Sequence, residues 1–148
     1  MIDAVVEHIS SEQHYAVRVA ISSASEKTGV EGLLTAAIER YLTMLEAEPY
    51  RQLAVLEIMA NTTRSTWISY RNITTDCLTY IAGSTDTRWS EPTERIAHHL
   101  TTALGTLTVS WLADRDSIAA RRHAAIIAKF IAADAVPHCD EAEAIERR

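Results

Sequence analysis

Turn-forming residues are scarce in this chain: 4 glycines and 3 prolines among 148 residues. A strand-rich sandwich or barrel needs a turn every few residues, so the scarcity argues against one and for long helices with few connections. Cysteine is also sparse. Cys77 and Cys139 are neither closely spaced nor part of a metal motif, which excludes a disulfide-stapled fold and fits a reduced, cytosolic setting. No apolar run approaches the ~18 residues of a membrane span, and the N-terminus carries no signal-peptide pattern. Clustered cations are missing as well. The formal net charge is −6, and the densest basic cluster, Arg121-Arg122 with Arg115, sits among Asp114 and Asp116, so no phosphate-binding face is expected within the chain. There is no Gly-rich phosphate loop, no Gly–x–Ser–x–Gly elbow, and neither His–Glu–x–x–His nor Glu–x–x–His. Neither enzymatic activity nor a cofactor or metal is expected.

Apolar residues make up 47% of the chain, enough for one domain with its own core. Their period is helical and predicts six helices, an all-α bundle with orthogonal and antiparallel crossings. The first spans about Ile2 to Ala20, with Val5, Val6, Ile9, Gln13, Ala16 and Val17 on its stripe. A loop follows over Ser22 to Gly29. The second, Val30 to Ala47, carries Leu33, Leu34, Ala37, Ile38, Tyr41, Leu42 and Leu45 on one side. Pro49 suits the first turn of a third helix to about Asn61, which is apolar nearly all round and so reads as central. The fourth, Arg64 to Ala82, has Trp67, Tyr70, Thr74, Cys77, Leu78 and Ile81 on one side, with Gly83 as its C-cap. Ser90 is the expected N-cap of the fifth, which runs to about Ala113 with Ile96, Leu100, Ala103, Leu104, Leu107 and Trp111 on its main stripe. Asp114 or Asp116 caps the sixth, which runs to about Ala135, with Pro137 as its stop. Residues 1–135 read as one domain and 136–148 as a charged, flexible tail.

Three stretches carry a resemblance. Pro49 to Trp67, an apolar helix with a glutamate followed by a polar break and an aromatic-bearing helix, is similar to the central layout of the C-terminal domain of TetR-family transcriptional regulators. Leu104 to Asp116, LGTLTVSWLADRD, resembles that family's penultimate helix, and Ser117 to Ala133 its last. The resemblance covers roughly residues 1 to 135 and implies an effector-binding and dimerisation domain of a repressor. It implies a homodimer formed through the last two helices as a four-helix bundle, and a small, largely apolar effector. It does not extend to the family's N-terminal helix-turn-helix, which nothing here matches. Met1 to Glu7 instead resembles the start of the helix after that domain. The expectation is a sensing half, a fragment or late-started frame, that does not bind DNA alone. The same features also fit a stand-alone helical homodimer that binds a small molecule or a protein partner without DNA.

The candidate residues follow from both readings. Tyr41, Met44, Met59, Trp67, Tyr70 and Trp111 are aromatic and Met side chains from four helices, suited either to plain core or to an apolar effector pocket. Glu57, a carboxylate amid Leu56, Ile58 and Met59, needs a partner: Arg51, Arg64 or a cationic ligand. Beside the main stripe of the fifth helix lies a second of small residues, Ala97, Thr101, Gly105 and Thr108, ending at Leu112. Glycine inside a helix costs ~1 kcal/mol against Ala, which a close contact would offset. With Ile126 and Phe130 of the sixth helix these are the candidate dimer interface; the competing reading packs Gly105 inside its own chain. His98 and His99 point about 100° apart on a helix and do not share a metal ion readily. His123 reads as an interface or surface residue, and Cys77 as a structural thiol.

Overall fold

The computed structural model describes residues 2–24, 28–51, 53–54 and 64–137, with side chains for all of these except 2–7, 9–10 and 64–71. The chain is an all-α bundle. Five helices have described bounds: α1 (Ile2–Ser23), α2 (Gly29–Ala47), α4 (Arg64–Ser84), α5 (Thr93–Asp114) and α6 (Ser117–Ala132). Helix α3 is described at 49–51 and 53–54 only. Two three-residue strands, β1 (Thr87–Trp89) and β2 (Ala135–Pro137), pair antiparallel with Thr87 opposite Pro137.

The helices close on themselves. Helix α1 packs on α2, α2 on α6, α6 on α5, α5 on α4, and α4 back on α1, while α2 also meets α4 across the middle. Helix α2 can do this because its apolar positions recur at helical spacing: Val30, Leu33, Leu34, Ile38, Leu42 and Leu45 are all buried. Each such side chain contributes roughly 1.5–3 kcal/mol by leaving water. Helix α6 meets α2 closely because its inner stripe is small. Ala120, Ala124 and Ala128 recur every fourth residue and are buried together with Ile127 and Ile131.

The turn from α5 to α6 is built by its own side chains. Arg115 takes the left-handed conformation (φ 54°) and its N–H returns to the Trp111 carbonyl at 2.7 Å, while its guanidinium lies 4.7 Å from the Trp111 ring. Asp116, one of the two expected caps, accepts from the backbone N–H groups of Ile118 and Ala119. A carboxylate there also meets the positive end of the helix dipole.

Several boundaries differ from the sequence reading. Helix α4 runs through Gly83 to Ser84. The N-cap of α5 is Pro92 rather than Ser90, whose N–H instead donates to the Asp134 carbonyl at 2.8 Å. Helix α6 stops at Ala132, and residues 135–137 extend to pair with β1. The pairing is held by Trp89, buried with its indole N–H on the Leu78 carbonyl at 3.1 Å. Leu53 is 40% exposed and Ala54 is exposed, so the described part of α3 is not central. The remainder, 55–63, and the expected tail from 138 lie outside the described residues.

Leu42 has no exposed surface. Leu42→Ala is expected to lower unfolding stability by about 3 kcal/mol in urea titration, whereas Val19→Ala at the surface changes it by less than about 0.5 kcal/mol. Equal effects would contradict the central place of α2.

Candidate functional site

A cavity of about 100 Å³ lies where four helices meet. Helix α2 supplies Leu34, Ala37, Ile38 and Tyr41 to its wall; α4 supplies Ile73, Thr74, Cys77, Leu78 and Ile81; α5 supplies Leu100 and Leu104; and α1 supplies Gln13, His14 and Val17. The wall is apolar apart from a few groups, most of which are engaged within the protein. Thr108 donates to the Leu104 carbonyl at 2.7 Å, so the 2.5 Å contact between the Tyr41 and Thr108 hydroxyls is a bond that Tyr41 donates. Thr101 donates to Thr74 across α5 and α4 at 3.2 Å. Burial pushes the Tyr41 phenol above its ordinary pKa, with the Thr108 hydrogen bond opposing it. Burial, with Asp76 close by, pushes the Cys77 thiol up to about 11. A thiol held that high is no nucleophile at neutral pH.

The cavity's α1 side meets a charged cluster. His14 Nε2 and Arg18 Nη1 each lie 2.7 Å from the same oxygen of Asp76, and the Arg18 guanidinium sits 4.2 Å from the Tyr80 ring centre. Burial opposes ionisation of Asp76, but the hydrogen bonds from His14 and Arg18 outweigh it and hold the carboxyl below its ordinary range. This cluster clasps α1 to α4 beside the cavity. A second clasp joins α1 to α3, where Arg51 bridges Glu12 and Glu48. At the far end of α2, Glu46 takes Arg121 at 2.6 Å and the Ser117 hydroxyl at 2.8 Å, and Ser117 in turn receives the Trp111 indole N–H at 3.2 Å.

The structure therefore separates the residues proposed as ligand contacts. Tyr41 lines the cavity. Trp111 does not: it is at the α5–α6 turn, where its indole is bonded to Ser117 and it borders a different pocket with His123. Met44 is half-buried on α2 outside the cavity wall. Glu57 and Met59 lie outside the described residues, as do the side chains of Trp67 and Tyr70, although both residues are on α4. Arg51, a suggested partner of Glu57, is engaged by Glu12 and Glu48.

No family model, curated protein or solved structure matches the chain.

The candidate interface divides in the same way. Ala97 and Thr108 have no exposed surface and offer a second chain nothing, and Thr101, half-buried, bonds Thr74 of the same chain. The reason is the position of α5 between α4 and α6, which buries a face wide enough to take in both its stripes. Leu112 is half-buried against the core. Gly105 stands apart, because a Cβ built there would meet nothing within 4 Å. Its own chain does not require glycine at that position. Ile126 (66%) and Phe130 (73%) are exposed, as is Val109 (59%). Between α5 and α6, Ile126 and Phe130 border a groove of about 480 Å³ with His98, His99 and Thr102. Among the described residues no group of three His, Cys, Asp or Glu side chains could hold a metal ion, and no helix is long and apolar enough to cross a membrane.

The His14–Asp76–Arg18 cluster escaped sequence reasoning because its partners are 62 and 58 residues apart. The available signal was the i, i+4 spacing of His14 and Arg18, which puts both on one face of α1.

Two buried acids set an alkaline limit. Because the folded pKa of Cys77 is raised, its contribution to stability is intact below its ordinary value of 9.0 and is lost as pH rises through about 11. The raised Tyr41 adds to this loss above pH 10.0. Cys77 is expected to resist iodoacetamide at pH 8 in the native protein and to react in denaturant, as read by peptide mass mapping. Rapid native alkylation at Cys77 would contradict its burial.

Proposed function

We propose that this chain is the effector-sensing and self-pairing domain of a TetR-type transcriptional regulator, and that the effector is a small, largely apolar molecule held between α1, α2, α4 and α5. The cavity is the observation that carries the sensing reading: apolar walls from four helices and a few polar groups at one end are what a ligand site between bundle helices needs. The regulator reading comes from the resemblance of Pro49–Trp67, Leu104–Asp116 and Ser117–Ala133. Helix α1 gives Gln13, His14 and Val17 to the wall, so a bound molecule would touch the helix that acts as the lever in such a regulator. A ligand contacting α1 in one position better than in another shifts the balance by that difference in free energy. DNA would be read by a separate helix-turn-helix domain.

The second copy would sit on the outer face of α5 and α6. Val109 on α5 and Ile126 and Phe130 on α6 are exposed apolar side chains, and a Cβ at Gly105 on α5 would meet open space. A two-fold axis there gives a four-helix contact in which each residue lies near its mate, burying on the order of 1,500 Å².

Two experiments test these parts. Ala37→Phe puts a ring into the cavity; a panel of small apolar molecules is expected to raise the melting temperature of the wild type and not that of the folded variant. A panel that shifts both alike, or neither, overturns the ligand site. In sedimentation at micromolar concentration the wild type is expected to be a dimer. Phe130→Glu is expected to be a monomer with unchanged helix content, and Gly105→Ala a weaker dimer. A monomeric wild type overturns the pairing, and in that case Gly105→Ala should instead gain about 1 kcal/mol of stability from helix propensity.

A further inference from the structure

The size and polarity of the cavity narrow what it can hold, and this step rests on the ligand-binding reading above. An apolar protein cavity of roughly 150 Å³ takes up benzene. At about 100 Å³ this one is smaller, so a single six-membered ring already fills its apolar interior, and anything larger would extend past its mouth. The body of the ligand must be apolar, since Leu34, Ile38, Ile81, Leu100 and Leu104 surround it.

One end is different. His14 is on the wall and its side chain is 32% exposed, so it forms the rim between cavity and surface. Its neighbour decides which ring nitrogen faces Asp76 as a donor. The Asp76 carboxylate can only accept, so Nε2 carries the proton in the 2.7 Å bond between them. Arg18, held on the same carboxylate oxygen, keeps that acceptor charged and in place. In the neutral ring the remaining nitrogen, Nδ1, is then an acceptor. The other hydroxyls near the wall are already used, Tyr41 on Thr108 and Thr101 on Thr74. An acceptor nitrogen at the rim can recognise a group that donates a proton.

We infer that the cavity binds a one-ring, phenol-like molecule, with its ring among the leucines and isoleucines and its hydroxyl donated to His14. Asp76 acts as a positioning residue that fixes the ring of His14. The ligand is neutral when bound, because a carboxylate or phenolate has no proton to give Nδ1.

Isothermal titration of the purified chain with phenol, toluene and benzoate tests this. Phenol and toluene are nearly equal in size and differ in the hydroxyl. Phenol is expected to bind about tenfold more tightly than toluene, the worth of one net hydrogen bond, and benzoate no better than toluene. In His14→Phe, which keeps a ring at the rim, phenol should fall to the toluene level while toluene is unchanged; unchanged toluene binding also shows that the variant cavity is intact. Equal binding of phenol and toluene to the wild type overturns hydroxyl recognition and leaves the apolar site standing. Benzoate binding more tightly than phenol overturns the neutral donor. A phenol preference that survives in His14→Phe overturns the role of His14. If neither phenol nor toluene binds, the ligand-binding reading fails along with this one.

Discussion

The fold depends on the burial of one helix. Helix α2 touches α1, α4 and α6, and a helix with neighbours on several sides must be apolar over a wide arc. Leu33, Leu34, Ile38, Leu42 and Leu45 meet that demand, each almost wholly removed from water. The other helices are arranged by what they bring to that surface. Helix α6 brings alanines and lies close. Helix α4 brings Cys77, Leu78 and Ile81. Where α1, α4 and α5 pass round Tyr41, the side chains do not fill the space, and the cavity results. An apolar pocket between helices with a few polar groups is the kind of place where a small molecule binds.

The polar contacts act at the edges of this arrangement. Tyr41–Thr108 and Thr101–Thr74 fasten α5 to α2 and α4 at the cavity. Asp76 fastens α1 to α4 at its rim, and Glu46 fastens α2 to the α5–α6 turn. Glu46 is held below its ordinary pKa chiefly by the hydrogen bond from Arg121, and Asp76 by His14 and Arg18 against the opposing effect of burial. Lowered carboxyl pKa values mean stability that is present above the ordinary carboxylate range and lost as pH falls below it. These groups are partly exposed, so solvent screens them and each contributes little. Their effect is on the relative placement of the helices, and the clasp at Asp76 joins the helix that lines the cavity on one side to the helix that lines it on the other.

Much of this was legible in the sequence. The stripe on α2 could be read residue by residue because helical periodicity is a local property. The cap at Asp116 was readable for the same reason. What failed was direction. Ala97, Thr101 and Thr108 form a small-residue stripe, and small size shows that something comes close without showing which chain supplies it. The structure puts α4 and α2 there, leaving only Gly105 of that stripe beside open space. Trp111 failed in a related way: an aromatic between helices suits a pocket, but its indole N–H found Ser117 six positions on, across a turn whose path depends on Arg115 adopting a left-handed conformation. The β1–β2 pair was hidden because three-residue strands carry no usable period, and the His14–Asp76 contact because its partners are distant in sequence.

Xenon tests the central claim, that the space beside Tyr41 is an apolar site able to take a guest, more directly than any variant does. It is apolar, small enough for such a cavity, and needs no hydrogen bond. Methyl NMR of the protein under increasing xenon pressure is predicted to show saturable shifts at Leu34, Ile38, Ile81, Leu100 and Leu104, with Leu45 and Ile131 unmoved. Shifts that grow linearly without saturating, or that spread evenly over all methyl groups, would contradict a defined cavity between α1, α2, α4 and α5.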